Sequence, residues 1–516
     1  MAIDPLPLSI LQALKYANGA CVIVACTAAG VLISSRARAF PVSPPLALAS
    51  PAAFFLLCAL GIAYVFYPNF LDHAEPAMAT LGVALLQGQP LYPPLDDASF
   101  RGLLYGPLVA ETQAAALYLG ATLAGLPVLL ASKLAGLAAF LLASGLFFRL
   151  APGWGFARAY YPLFLLPFGL LAFWNRCEPV FLLLVAASFW LADPARRLSR
   201  TAALLLLGAC AGLASGMKLH GFLYIAPAAA LLLARGRLAA GDLLIPVASA
   251  AATFLLLFLP GNVSLPAFFG YLQLAAGHGL SGPLFLTNLV FVVALWCPLL
   301  VLPGGWRLLR KPELLALALL QLGVAVIASK PGAGIHHLLP FIPANALLFA
   351  AHAQAPRGAA ASLVWLAVLL PGLAASALLA FTMARDWSAY DRARQELAQI
   401  RAKHPDLVMG VGGSSFYPYS FMRPMLALNG PPQVEYSSYM DLRLAGVPDA
   451  PLREAFEACR IRHLAMPRRE PPFSMASYYA PGVPMFSDAL RATFARRYAK
   501  VAAGAWFDTY ECAHGS

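Results

Sequence analysis

The side chains able to do chemistry are few and unevenly placed. Phe70 to Pro107 reads FLDHAEPAMATLGVALLQGQPLYPPLDDASFRGLLYGP and carries Asp72, Glu75, Asp96 and Asp97, four of only ten acids among the first 384 residues. Asp72 follows directly on an apolar run, where an ionisable residue is costly unless it works. It also fits the start of a helix as a cap. Further along, Arg176 and Glu178 lie in NRCEP, Lys218 and His220 in MKLH, and Lys330, His336 and His337 in SKPGAGIHH; Lys133 opens an apolar segment. Lys and Arg suit phosphate recognition, and a carboxylate suits the general base. The set fits binding of a lipid phosphate and activation of a hydroxyl beside it. The reaction that follows is glycosyl transfer from a polyprenyl-phosphate sugar. An acceptor hydroxyl attacks the anomeric carbon, Asp72 takes its proton, and the phosphate leaves against the cations. Phosphate leaves readily, so the paired carboxylates of glycosidases are not required. Direct displacement inverts the anomeric centre.

Each of these residues also has a plainer use. Glu178 before Pro179 fits the first turn of a helix, and Arg176 fits a partner for it. Lys218 fits a lysine reaching outward from a helix end, and His220 a core histidine. Asp96 and Asp97 fit a solvated loop. A divalent metal on Asp72, His73 and Glu75 is a further option, although the spacing is not that of a recognised ligand set.

The elements that must position these groups are membrane helices. The 516 residues are 60% hydrophobic and 11% charged, too apolar for a soluble chain of this size. Spans of about 20 residues are expected near 17–34, 47–67, 130–149, 159–174, 179–192, 201–216, 220–234, 243–260, 283–302, 313–329, 337–351 and 360–383. The opening MAIDPLPLSI has neither a basic n-region nor a cleavage pattern, so its first helix is expected to be retained. The stretch Leu108 to Leu126 reads as a helix lying at the membrane surface. Arginine sets the orientation. Arg36, Arg38, Arg149, Arg158, Arg196, Arg197, Arg200, Arg235, Arg237, Arg307, Arg310, Lys311 and Arg357 fall in one set of alternate loops, cytoplasmic by the positive-inside rule. The candidate residues then face outward, and the short spans around NRCEP and MKLH recess their turns into a cavity. The net charge of +12 is a topology signal; no basic stripe with interleaved aromatics points to nucleic acid.

Charge density divides the chain. Residues 1–384 hold 19 Lys/Arg and 10 Asp/Glu; residues 385–516 hold 16 and 13 in about a third of the length. The expected organisation is a membrane catalytic domain over 1–384, with an outward first loop over 68–129, and an extracytoplasmic α/β domain over 385–516. That domain is expected to begin with a helix over 388–404. Strands are expected at LVMGVGG from Leu407, at IRHLAMP from Ile461 and at YAKVAAGAWFDTYECA near the end. Cys21, Cys26, Cys58, Cys177, Cys210 and Cys297 read as small core residues. Cys459 and Cys512, the two in the C-terminal part, are able to pair if that part is extracytoplasmic.

The order of an apolar helix, FLDHAEP, LLQGQPLYPP and LLYGPL resembles the first outward loop of GT-C glycosyltransferases, the polyprenyl-phosphate-sugar enzymes related to protein O-mannosyltransferases and lipid A aminoarabinose transferases. NRCEPVFLLLVAASFWLA is similar to their second-loop pattern, and GLASGMKLHGFLYIAP and ASKPGAGIHHLLPFIP to later pieces of bacterial members. The resemblance covers most of residues 47–351. It implies that Asp72 matches the first-loop catalytic acid and Glu178 the second-loop acid. Lys133 falls where an arginine often precedes the next span, and Lys218, Lys330, His336 and His337 where donor-phosphate contacts are expected. The family's adjacent acid pair is replaced by Asp72 and Glu75, which leaves their division of labour open. The implied partners are a polyprenyl-phosphate-linked sugar, a glycan, lipid or protein acceptor, and the bilayer of a bacterial inner membrane. Two other functions fit the same residues: a transporter or flippase of a lipid-linked substrate, and a ligase or polymerase using a pyrophosphate lipid. Neither the sugar nor the acceptor is legible.

Overall fold

The computed structural model describes residues 44–513 and residue 23, apart from 103–104, 152–154, 197, 301–304, 353–358, 414–417, 469, 478 and 480–481. Apart from Ile23, the expected helix over 17–34, with Cys21 and Cys26, lies outside the described residues, as do Arg36, Arg38, Arg197 and Arg357.

Among the described residues, nineteen α-helices and four strands follow in chain order. They are α1 Pro44–Phe66, α2 Glu75–Leu86, α3 Pro107–Leu117, α4 Val128–Leu150, α5 Phe156–Leu165, α6 Gly169–Phe173, α7 Glu178–Ala192, α8 Arg200–Met217, α9 Phe222–Ala234 and α10 Leu244–Leu256. Then come α11 Leu265–Ala276, α12 Gly282–Leu300, α13 Pro312–Ile327, α14 Ile342–His352, α15 Ala359–Lys403, β1 Leu407–Met409, α16 Pro424–Ala427, α17 Tyr436–Leu444, α18 Ala450–Glu457, β2 His463–Pro467, α19 Asp488–Arg497, β3 Tyr498–Ala503 and β4 Phe507–Cys512. Among the described residues, six helical stretches are long and apolar enough to cross a membrane: Ala49–Phe66, Val128–Leu150, Phe156–Phe173, Arg200–Met217, Gly282–Leu300 and Trp365–Lys403. Six shorter apolar helices accompany them. The chain is a polytopic helical membrane protein with a small α/β region at its C-terminal end.

Proline explains two departures from the expected spans. The helix expected over 159–174 breaks into α5, a 3-10 turn Leu166–Phe168 and α6, because Pro167 has no N–H for the helix ladder. The helix expected over 337–351 starts as a 3-10 segment, Ile335–Phe341, containing Pro340, before α14. The opposite happens at the expected domain boundary. The span over 360–383 and the helix over 388–404 are one 45-residue helix, α15. Nothing between Ala384 and Lys403 breaks it, since no Gly or Pro occurs there. Helix α11 occupies a stretch to which the apolar pattern assigned no element; Ser264 caps it by accepting from the Ala267 N–H at 3.3 Å.

The chain forms two compact units. One holds residues 1–64, 136–256 and 280–384; the other holds 65–135, 257–279 and 385–516. Three of the boundaries fall inside helices, namely α1, α4 and α15. The first unit is built of most of α1 and α4, α5 to α10, α12 to α14 and the first part of α15. A polar chain runs through its apolar interior: Trp296 Nε1 donates to Gln321 at 2.6 Å, Gln321 Nε2 to Asn345 at 2.7 Å, Asn345 Nδ2 to the Tyr160 hydroxyl at 3.1 Å, and that hydroxyl to the Leu295 carbonyl at 2.8 Å. Each link answers a group that would otherwise be costly in an apolar interior.

The second unit joins the loop after α1 to the C-terminal residues in shared cores. Phe70, Ala79 and Leu129 pack with Phe421, and Val83, Leu117 and Ala131 with Ala427. Its sheet has the order β1-β2-β4-β3, with β1 parallel to β2 and the other pairs antiparallel. The single strand expected over YAKVAAGAWFDTYECA is instead the β3–β4 hairpin. Its turn is held by Glu396 of α15, whose carboxylate accepts from the N–H groups of Ala505, Trp506 and Phe507. A Cβ on Gly504 would stand 2.6 Å from the Phe507 carbonyl, so only glycine fits there. Cys459 and Cys512 form a disulfide, with Cα atoms 5.8 Å apart. Arg423 and Glu435 make a fully buried two-pronged pair, at 2.9 and 2.6 Å.

Candidate functional site

Within the first unit, three turns bring charged and aromatic side chains together. The first joins α6 to α7. Trp174 leaves α6 in an extended conformation, and Pro179 at the start of α7 places Glu178 as its first residue. Gly136 of α4 admits this turn, because a Cβ there would lie 2.2 Å from the Trp174 carbonyl. The second turn follows α8. Lys218 is extended, and the 3-10 turn Leu219–Gly221 folds back until a Cβ on Gly221 would meet the Ala214 carbonyl at 2.0 Å. The third is the 3-10 segment that carries His336 and His337, entered through Gly334 at φ 152°.

Glu178 is the centre of this cluster. It is buried, and Oε1 accepts from Lys218 Nζ at 2.9 Å while Oε2 accepts from Trp174 Nε1 at 2.9 Å. Arg176 Nε stands 3.9 Å from Oε2, and its guanidinium lies over the Trp174 ring at 4.1 Å, a cation–π stack. Arg176 Nη2 is 3.4 Å from His336 Nε2.

The proton pattern beyond Lys218 follows from what each group can do. An ammonium only donates, so His337 Nε2 accepts from Lys218 Nζ at 3.4 Å. The His337 proton then sits on Nδ1 and is donated to His220 Nε2 at 3.2 Å. Tyr224 donates to the same nitrogen at 3.3 Å. The two imidazoles lie nearly parallel, with centroids 5.2 Å apart. The fold thus gathers Arg176, Glu178, Lys218, His220, His336 and His337. Lys330 lies in the turn after α13, its carbonyl accepting from the Ala333 N–H at 3.0 Å. Trp174 and Tyr224 join the site without having been singled out in the sequence. For Trp174, the available signal was its place in the run from Trp174 to Glu178.

Within the second unit, the two acids after α1 have different surroundings. Glu75 is fully buried, and its Oε2 accepts from the N–H groups of Leu71 at 2.9 Å and Asp72 at 2.8 Å. Asp72 is half-buried. Its Oδ1 accepts from the Ala74 N–H at 2.9 Å, and its Oδ2 lies 3.7 Å from His73 Nδ1. The cap residue of α2 is Ala74 rather than Asp72. Glu75 therefore folds the turn on which Asp72 is displayed. Lys133 supports the same turn from α4. It is fully buried, and Nζ donates to the carbonyls of Tyr67 and Asn69, both at 2.6 Å. Asp97 and Arg101 form their own local network with Ser99. Among the described residues, no three or more His, Cys, Asp or Glu side chains are grouped to hold a metal ion. Asp72, His73 and Glu75 do not converge, because Glu75 turns to the backbone.

The described residues form a multi-span helical body with a small α/β region, a GT-C-like fold by its likeness to a solved structure. Among solved structures, the crystal structure of ArnT from Cupriavidus metallidurans in the apo state is similar. The TM-score is 0.52 at 13% identity, over 90% of this chain and 97% of that one. At that identity the likeness is one of fold. No family model matches the chain, and no curated protein matches it in sequence.

Proposed function

We propose that this protein is a membrane glycosyltransferase that moves a sugar from a polyprenyl-phosphate donor to an acceptor hydroxyl on the extracytoplasmic face. The observation that carries the reading is the Arg176–Glu178–Lys218 cluster with its three histidines, set in a GT-C-like fold. The protein's likeness in fold to the solved ArnT structure supports that reading. In this reading Arg176, His336 and His220 offer donors to the lipid phosphate, joined by Lys330. Glu178 and Lys218 are more deeply buried and hold those groups in place. Asp72 is the general base. The acceptor oxygen bonds to the anomeric carbon, the bond from that carbon to the phosphate oxygen breaks, the acceptor proton passes to Asp72, and polyprenyl phosphate leaves as the anion. The anomeric centre inverts. Glu75 and Lys133 are positioning residues for the Asp72 turn, which supplies the division of labour between Asp72 and Glu75. The Cys459–Cys512 disulfide supports an extracytoplasmic C-terminal region, since such bonds persist in oxidising compartments.

The test is reconstitution of the purified protein with polyprenyl-phosphate sugars, following release of polyprenyl phosphate. Asp72→Asn is expected to stay folded and bind donor while release stops. Normal turnover by that variant would remove Asp72 as the base. Movement of donor across the vesicle membrane without any chemical change would identify a flippase. Activity on pyrophosphate donors alone would identify a ligase or polymerase.

A further inference from the structure

At the other end of α7, a cavity of about 500 Å³ opens among the ends of α4, α5, α7, α9 and α14, all within the first unit. Helix α7 is 15 residues long, which puts this cavity about 22 Å along the axis from Glu178. The two places are distinct. The wall is mostly apolar, with Phe156, Phe189, Leu231 and Leu347 contributing. Two arginines, Arg158 and Arg235, also line it.

Helix capping accounts for part of this basic charge. Arg158 donates to the carbonyls of Ala151 at 2.6 Å and Phe148 at 3.0 Å, closing α4. Arg237 closes α7 through the Ala192 carbonyl at 3.1 Å. Capping does not explain why an apolar hollow stands beside these arginines. The one acid in the wall, Asp193, is paired with Arg196 at 3.5 Å and accepts from the Ala195 N–H. The first turn of α5 faces the same space, and its cap, Gly155, has no side chain to occupy the N–H groups.

We infer that this cavity is a binding site for an anionic phospholipid of the surrounding membrane. The phosphate sits against Arg158 and Arg235, and the glycerol and upper acyl carbons lie against the apolar wall. Three observations point to a lipid rather than a free anion: the walls are mostly apolar, the volume suits a headgroup with its glycerol, and two of the surrounding helices, α4 and α5, lie in stretches long and apolar enough to cross a membrane. Basic pockets between the ends of membrane helices take anionic headgroups for the same physical reason.

The experiment titrates the whole protein in neutral detergent with dioleoylphosphatidylglycerol, dioleoylphosphatidylcholine or glycerol 3-phosphate, and counts bound molecules by native mass spectrometry. One phosphatidylglycerol is expected to be retained, with neither phosphatidylcholine nor glycerol 3-phosphate held. Arg235→Glu is expected to weaken retention at least tenfold. Ala351→Trp, which fills the cavity and keeps its charges, is expected to do the same. Arg307→Glu, a basic residue outside the lining, is expected to change nothing. Equal retention by wild type and both cavity variants would overturn the proposal. So would an equal loss in Arg307→Glu, which means diffuse attraction, or equal retention of phosphatidylcholine. Retention of glycerol 3-phosphate to the same degree would make this a free-anion site and overturn the lipid assignment.

Discussion

Lys218 and Glu178 form a buried ion pair, with Nζ 2.9 Å from Oε1, that ties the turn after α8 to the first residue of α7. Each charge is removed from water and depends on the other. Removing one partner of a buried pair costs about 3–5 kcal/mol, whereas removing both costs much less. Glu178→Gln and Lys218→Met are each expected to lower the melting temperature of the purified protein sharply. The double variant is expected to recover part of the loss. Strictly additive losses would show that the pair contributes little as a pair.

Asp72 and Glu75 are expected to separate stability from chemistry. In Asp72→Asn the amide oxygen still accepts from the Ala74 N–H, so melting should move little. Transfer should fall by about 10²–10⁴ with the general base gone. Glu75→Ala strips the acceptor from the N–H groups of Leu71 and Asp72 and should cost about 1–3 kcal/mol in stability. The checks are thermal unfolding beside turnover. A stable, fully inactive Glu75→Ala would move Glu75 from positioning into the chemistry.

Lys133 is expected to act on the Asp72 turn before it acts on any ligand. Lys133→Met leaves two buried carbonyls, those of Tyr67 and Asn69, without its ammonium. Each lost partner is worth about 1–3 kcal/mol. Lower melting with donor affinity preserved in the folded fraction would establish positioning. Loss of donor affinity at unchanged stability would return Lys133 to the phosphate.

These residues show what local sequence can and cannot reveal. Apolar length located the membrane helices, since a span is a composition signal. The first two strands were also legible, whereas the Cys459–Cys512 pairing was only an option, since two cysteines in the C-terminal part permit a bond without requiring one. The orientation of Glu75 was not. A carboxylate in the first turn of a helix looks the same whether it turns to solvent or to the backbone. The β3–β4 hairpin was hidden because its turn is held by Glu396, over a hundred positions earlier. Likewise, no local pattern shows that residues 65–135, 257–279 and 385–516 share one unit, because that unit is assembled from contacts remote in the chain.

The disulfide is expected to matter for stability rather than for chemistry. Cys459 and Cys512 are 53 positions apart, and closing a loop of that size restricts the unfolded chain by about 4 kcal/mol in the chain-entropy account. Dithiothreitol, or the Cys459→Ser and Cys512→Ser double variant, is expected to lower the melting temperature measured in detergent. Unchanged melting after verified reduction would show that neighbouring packing carries the region alone.

Glu111 of α3 gives a pH signature with a definite sign. Burial pushes its carboxyl up to about 7 from an ordinary 4.5. The fold therefore favours the protonated form. Its penalty is absent below about pH 4.5, grows as pH rises towards 7, and is constant above that, because the unfolded chain ionises first. Glu111→Gln removes the titration and keeps the shape. The variant is expected to melt above wild type at pH 8 and level with it at pH 4.5, as read by thermal unfolding across that range. The side chain is only partly enclosed, so solvent screening keeps the gap to a fraction of what a fully buried carboxylate would show. A gap of the same size at both pH values would mean that glutamine packs better at this position, with no part played by the charge.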